Sequence, residues 1–212
     1  MQSLIQDIED LKTQTESLTP QQWQTGLERL SPARLAFSGS LRSGKSESWI
    51  AANTYASEKI AQDTPPSAQD IFHLNALLRS LPTAPLRTGD VFLGPHKAID
   101  AEKLPAAFQY FCDEILPQSK HKHSLLGAAL TRFWLVSLHP FEDANGRTSV
   151  ILADWLLLLS GYLPLGFNEA SEGLIASFNQ HRPSATAANA VLKTLRSVRT
   201  SYRLILDLNP HL

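Results

Sequence analysis

His139-Pro-Phe-Glu-Asp-Ala-Asn-Gly-Arg147 is the stretch on which the reading of this chain turns. It holds a proton acceptor (His139), a carboxylate suited to a hard metal ion (Asp143), a short Ala144-Asn145-Gly146 turn and a cation (Arg147). Small, turn-tolerant residues let successive backbone N–H groups face one side as a nest. The helix that follows adds unpaired N–H groups and the positive end of its dipole. Together these make an anion hole suited to phosphate. Arg147 can add a bidentate contact to phosphate oxygens. A cation in the first turn of a helix is disfavoured by the dipole, so a phosphate partner explains it well. One carboxylate plus substrate phosphates is the usual way Mg2+ is held. His139 is the nearby group that titrates near neutrality and can accept a hydroxyl proton. Taken singly, these residues read as a helix end, a tight turn and a solvated cation. Their joint occurrence in so short a stretch favours a phosphate site.

The flanks say where the loop sits. HSLLGAALTRFWLVSL (123–138) and VILADWLLLL (150–159) are apolar nearly all round, as helices in the middle of a bundle are. The loop between them is therefore held on both sides by buried surface, as a site needs. The Val150–Leu159 run is about ten residues and contains Asp154, whereas a membrane span needs about 20. It reads as a core helix.

Farther out, Leu4, Ile5, Ile8 and Leu11 have helical spacing, and Pro20 suits the start of a second helix after the break at Thr19. Ser38 to Glu47 is small and polar, a loop leading into a helix from about Ser46 to Ile60. Ser67 can cap a helix running to about Arg79, with Asp70 as the capping-box acid. In 86–99, LRTGDVFLGPHKAI, Gly89-Asp90 and Gly94-Pro95 bracket Val91-Phe92-Leu93, which predicts a small hairpin. Helices are predicted at about Ala101–Leu116, His123–Leu138 and Gly146–Leu159, then two more to the C-terminus, with Gly161 as a helix stop. The fold class is all-α with one small hairpin at about 86–96. Residues 1–37 form a helical extension and 38–212 the main domain.

The chain has 212 residues, a size that suits one domain with a small appendage. It is 43% hydrophobic and 18% charged, which supports a sizeable core. The formal net charge of -1 provides no bulk basic field, so nucleic acid is not an expected partner and any anion site is local. A single cysteine, Cys112, excludes an internal disulfide and a cysteine-rich zinc site. No signal-peptide pattern opens the sequence. A cytoplasmic protein without a membrane association is expected, and a homodimer is left open.

The nonapeptide resembles the signature of Fic-domain proteins, His-x-Phe-x-(Asp/Glu)-Gly-Asn-(Gly/Lys)-Arg. His139, Phe141, Asp143, Asn145, Gly146 and Arg147 match it; Ala144 stands where Gly is usual, as in the Doc branch. The likeness covers roughly residues 38 to 165. It implies a Fic-like all-α core, with the hairpin as a flap whose Val91, Phe92 and Leu93 clamp a segment of a target protein. It implies transfer of AMP from ATP to a hydroxyl side chain of that target. His139 would deprotonate the hydroxyl and Asp143 would hold Mg2+. Ala144, Asn145, Gly146 and Arg147 would bind the phosphates, and Phe141 would pack into the core. Glu142, the variable position, is expected to face solvent.

Ser43-Gly-Lys-Ser-Glu47-Ser48 resembles the family's inhibitory segment, which makes Ser43 and Glu47 regulatory candidates on a helix at about 43–60. The chain departs from the family pattern at Val150, where a second arginine belongs. Residues 163–201 also lack the tyrosines often found near the adenine. These departures leave other outcomes open: removal of AMP, transfer of a different phosphate-containing group, or a degenerate Fic-fold module that binds without turnover.

Overall fold

In a computed structural model the described residues are 1–37, 46–94, 96–119, 124–166 and 183–208. The elements in chain order are α1 (Gln2–Thr15), α2 (Pro20–Phe37), α3 (Ser46–Ala61), α4 (Ala68–Arg79), β1 (Phe92–Leu93), β2 (His96–Lys97), α5, α6 (Ser124–Leu138), α7 (Asn145–Leu159) and α8 (Pro183–Ile205). Helix α5 starts at Leu104–Tyr110, passes through a π-turn at Phe111–Ile115 and ends at Leu116–Gln118. The all-α class with one small hairpin holds.

Helix α7 is the axis of the bundle. Every residue from Thr148 to Leu157 is buried, and α3, α4 and α6 pack around it. An all-round apolar helix has no solvent face to offer and is stable only at the centre. Its end is sharply specified. Gly161 takes φ 72°, its N–H donates to the Leu158 carbonyl, and the Tyr162 N–H donates to Leu157. That pair of bonds is a Schellman stop, and it needs a left-handed residue. Helix α6 approaches the end of α5 so closely that a Cβ on Gly127 would lie 2.2 Å from the Ser119 carbonyl oxygen. Only glycine fits there.

The N-terminal helices α1 and α2 both pack on α8. They are tied to the centre by Arg34, which donates to the Asp154 carboxylate at 2.7 Å and to the Leu165 carbonyl at 2.8 Å. Asp154 also accepts the Leu165 N–H at 2.7 Å. The lone acid of the apolar 150–159 run is thus satisfied within the core, as a buried charge must be.

Helix α4 begins at the capping box foreseen for it. Ser67 accepts the Asp70 N–H, and Asp70 accepts the Ser67 N–H. Asp70 also accepts the Tyr55 hydroxyl, which ties α3 to α4. The hairpin comes slightly later than expected. Phe92 pairs with Lys97 and Leu93 with His96, and the Ala98 N–H donates to the Val91 carbonyl. Residues 86–90 form its approach rather than a strand. Helix α5 begins at Leu104, because Asp100 accepts the N–H groups of Lys103 and Leu104 and holds 101–103 in a turn. Of the two helices expected after Gly161, α8 is described and the other falls outside the described residues. Among the described residues no helix is long and apolar enough to cross a membrane.

Replacing Arg34 with Met strands the buried Asp154 carboxylate and is expected to lower stability by about 3 kcal/mol. Arg29→Met removes the exposed pair with Asp207 and is expected to cost under about 1 kcal/mol. Urea unfolding of both variants checks this; equal losses would contradict the assigned role of Arg34.

Candidate active site

Helix α6 ends because His139 adopts a left-handed conformation, φ 47°, and Pro140 cannot continue a helix. The His139 N–H donates to the Leu135 carbonyl at 3.1 Å, the single bond of a left-handed helix cap. Histidine tolerates this region better than most residues do. Five positions on, Ala144 takes φ 65° and α7 starts at Asn145. Of the three turn residues Ala144, Asn145 and Gly146, it is Ala144, at the position where Gly is usual, that takes the positive φ. Asn145 and Gly146 are already helical.

Asn145 closes the loop on itself. Its side chain accepts the Phe141 N–H at 2.9 Å and donates to the Phe141 carbonyl at 2.7 Å. Phe141 is fully buried, edge-on to Phe72 and Phe108. Its assignment to the core holds. From beneath, the fully buried Asn75 of α4 donates to the Asp143 carbonyl at 2.9 Å and to the Thr148 hydroxyl at 3.1 Å. Thr148 in turn donates to the Ala144 carbonyl.

The strongest anchor is Arg87, buried to 3% exposure. Its guanidinium donates to the carbonyls of His139 (2.8 Å), Gly89 (2.6 Å), Ile99 (2.6 Å) and Leu138 (3.4 Å). Its backbone N–H donates to Pro140 at 2.8 Å. One side chain joins the end of α6, the His139 loop and both legs of the hairpin. A cation is favoured at a helix C-terminus, where carbonyls lack partners. Burial pulls the Arg87 pKa down and nearby Asp90 opposes this. Sequence reasoning missed both Arg87 and Asn75. Arg87 carried a faint signal, a lone arginine before the Gly89-Asp90 turn; Asn75, in an ordinary amphipathic helix, carried none.

Asp143 and Arg147 face each other across the start of α7. Asp143 accepts the Ala144 N–H at 2.6 Å and lies 3.5 Å from the Arg147 guanidinium. Its side chain is 60% exposed and that of Arg147 13%. A carboxylate thus lies over the helix N-terminus, where an anion is favoured. Arg147 also donates to the Leu78 carbonyl at 3.2 Å, near the end of α4, so a structural contact accompanies its place near the anion hole. Among the described residues there is no group of three or more His, Cys, Asp or Glu side chains fit to hold a metal. Asp143 can give one oxygen, which suits an ion that arrives with phosphates and keeps its waters.

His139 is half-buried, and its Nδ1 is buried beside the Val136 carbonyl without a well-formed hydrogen bond. Burial lowers its pKa below the ordinary 6.5, and the Arg87 charge adds to this; the Val136 carbonyl and Asp143 oppose it. The shift favours the neutral imidazole.

Phe92 is 65% exposed on the hairpin and Leu93 is buried at 4%. Leu93 holds the hairpin to the core and Phe92 faces outward; Val91 is intermediate. Lys97 bonds Asp90 at 2.8 Å and Asp100 at 2.9 Å, which braces the base. Glu142 is exposed, as expected, and lies 3.4 Å from Arg79. Glu47 is exposed at the start of α3 and lines a cavity of ≈ 320 Å³ together with Arg79 and Asp143. Ser43 lies outside the described residues. Val150 is fully buried.

Arg87→Met leaves several carbonyls without a donor and is expected to cost at least about 3 kcal/mol. Amide exchange should rise together in 139–147 and in 89–99. Faster exchange in the hairpin alone would refute the link to the loop.

Comparison with known proteins agrees with this geometry. The Fic/DOC family model matches residues 65–157. A protein adenylyltransferase Fic from Drosophila willistoni is 38% identical over 80 residues, which is 37% of this chain and 16% of that protein. This chain therefore matches only a small part of that curated relative's length. A Fic-domain-containing signaling protein from Bacteroides thetaiotaomicron superposes with a TM-score of 0.69 at 15% identity, covering 98% of both chains. Fic-1 from C. elegans gives 0.70 at 17% identity over 97% of this chain and 72% of that one. The hairpin, the α6–loop–α7 unit and the matched segment coincide, and residues 65–157 form a Fic/DOC-family domain within a Fic fold that extends over nearly the whole chain.

Proposed function

We propose that this chain is a Fic-type nucleotidyltransferase that moves AMP from ATP to a hydroxyl side chain of a target protein. The observation that carries the reading is the pairing of a half-buried His139 with the N-terminus of α7, where the Asp143 carboxylate already lies, on one braced loop. A hydroxyl needs a base, and a phosphate needs donors that do not have to be ordered first. Both are supplied within a few residues.

In this reading the nucleotide α-phosphate takes the place of the Asp143 carboxylate at the helix N-terminus. The Asn145 and Gly146 N–H groups and Arg147 bind its oxygens. Asp143, freed from the Ala144 N–H, would hold Mg2+, and the ion would neutralise phosphate charge. With Nδ1 buried, the other ring nitrogen, Nε2, takes the proton of the target hydroxyl. The hydroxyl oxygen bonds to the α-phosphorus, the bond to the bridging oxygen breaks, and pyrophosphate leaves. The exposed Phe92 and the free edge of the hairpin suit an extended target segment, since an unpaired strand edge offers backbone groups to a partner.

Glu47 is the proposed restraint on this reaction, since it lines the cavity beside Asp143. A second reading, a module that binds nucleotide without turnover, is favoured by the buried Val150, which brings no second cation to the site.

Incubation with labelled ATP, Mg2+ and candidate targets is expected to label a target with the wild type and not with His139→Ala. Because burial lowers the His139 pKa, the acid limb of kcat/KM should fall at a lower pH than an ordinary histidine would give. Equal labelling by both proteins would exclude His139 as the base. The absence of labelling with any target, despite tight nucleotide binding, would favour the binding module. Glu47→Gly is expected to raise transfer several-fold at saturating target; unchanged or lower transfer counts against a restraining role.

A further inference from the structure

The cavity beside the loop contains a cation to which no role has yet been given. Its described lining includes Glu47 from α3, Arg79 from the end of α4 and Asp143 from the loop. Among the described lining residues Arg79 is the one cation. Its side chain is 16% exposed, and its recorded partner is Glu142, 3.4 Å away and 68% exposed. An ion pair that long, with a solvated carboxylate, is weak and readily exchanged. Arg147 is held differently, by the Leu78 carbonyl and Asp143. Val150 is fully buried and brings nothing to this cavity.

Geometry orders the phosphates. With one phosphate at the N-terminus of α7 and Asp143 beside the next, the rest of a triphosphate must run away from the loop. The cavity that adjoins Asp143 has a volume of ≈ 320 Å³, ample for a phosphate and its waters. A terminal phosphate there meets a guanidinium on a rigid helix, whose fork matches phosphate oxygens. It also meets Glu47, a like charge.

We propose that Arg79 binds the terminal phosphate of a nucleoside triphosphate, from a helix outside the motif, and that Glu47 competes with that phosphate for the same guanidinium. This rests on the nucleotide reading above. It makes Arg79 a binding residue that discriminates triphosphate from monophosphate, and it gives Glu47 a partner that Val150 cannot be.

Calorimetry with MgATP and with AMP tests it in wild type, Arg79→Met, Arg79→Lys, Glu142→Gln, Glu47→Gly and the Arg79→Met/Glu47→Gly pair. Arg79→Met should weaken MgATP by about tenfold or more and leave AMP within about twofold. Arg79→Lys should fall between, since it keeps the charge without the fork. Glu142→Gln, which removes only the present partner, should not weaken MgATP. Glu47→Gly should tighten MgATP when Arg79 is present and have little effect when it is Met. Unaltered AMP binding also reports that a variant is folded. Equal losses for MgATP and AMP, no loss at all, or the same Glu47→Gly gain in both backgrounds would overturn the proposal alone. If the wild type bound no nucleotide, the transferase reading would fail as well.

Discussion

Arg87 is the contact on which the geometry of the site depends. The loop from His139 to Ala144 departs from helix at both ends, and each departure exposes backbone carbonyls that α6 no longer uses. A buried carbonyl without a donor costs on the order of 1–3 kcal/mol. Arg87 supplies donors to Leu138 and His139 and, with the same planar group, to Gly89 and Ile99 at the base of the hairpin. A lysine could not do this, since a single ammonium has no fixed fork. The His139 loop and the hairpin are thus held as one unit, although the hairpin has only two strand pairs of its own.

The second constraint is the tension at the N-terminus of α7. Ala144 holds a left-handed conformation without the freedom of glycine, and Asn145 and Asn75 keep it there through four hydrogen bonds to the loop and to Thr148. What this produces is a helix start with its N–H groups directed outward. Asp143 covers that start in the described state. A carboxylate and a phosphate are both anions with oxygens at similar spacing, so the same N–H and the same arginine serve either. In the proposed reaction, a phosphate that displaced the Asp143 carboxylate from the Ala144 N–H would leave it free to hold Mg2+.

Much of this was legible in the sequence because the relevant signals were local. The all-round apolar pattern of 123–138 and 150–159 placed α6 and α7 at the centre, and Ser67 and Gly161 marked helix ends by the chemistry of their own turns. The nonapeptide located the loop between the two central helices. What was not legible came from long-range contacts. Arg87 reaches residues about fifty positions away, and Asn75 reaches farther still. Neither has a spacing that announces its partner. Which of Ala144, Asn145 and Gly146 takes the positive φ was not legible locally, since alanine rarely adopts it and the tertiary braces hold it there. The hairpin starts later than expected because residues 86–90 form no strand, and Arg87 there is committed to carbonyls of the loop and of the hairpin base. Arg79 read as the last residue of a helix, and its meaning depends on a cavity shared with Glu47 and Asp143.

The central claim is that the loop from His139 to Arg147 transfers a phosphate-containing group with His139 as base. Intact-mass spectrometry of the purified protein, with a hydroxyl-bearing target present, after incubation with Mg2+ and each nucleoside triphosphate in turn, tests it most directly, because the added mass identifies the group. The account predicts a nucleoside monophosphate adduct on target or chain, formed with ATP and absent with His139→Ala. No adduct with any nucleotide, or the same adduct without His139, would contradict it.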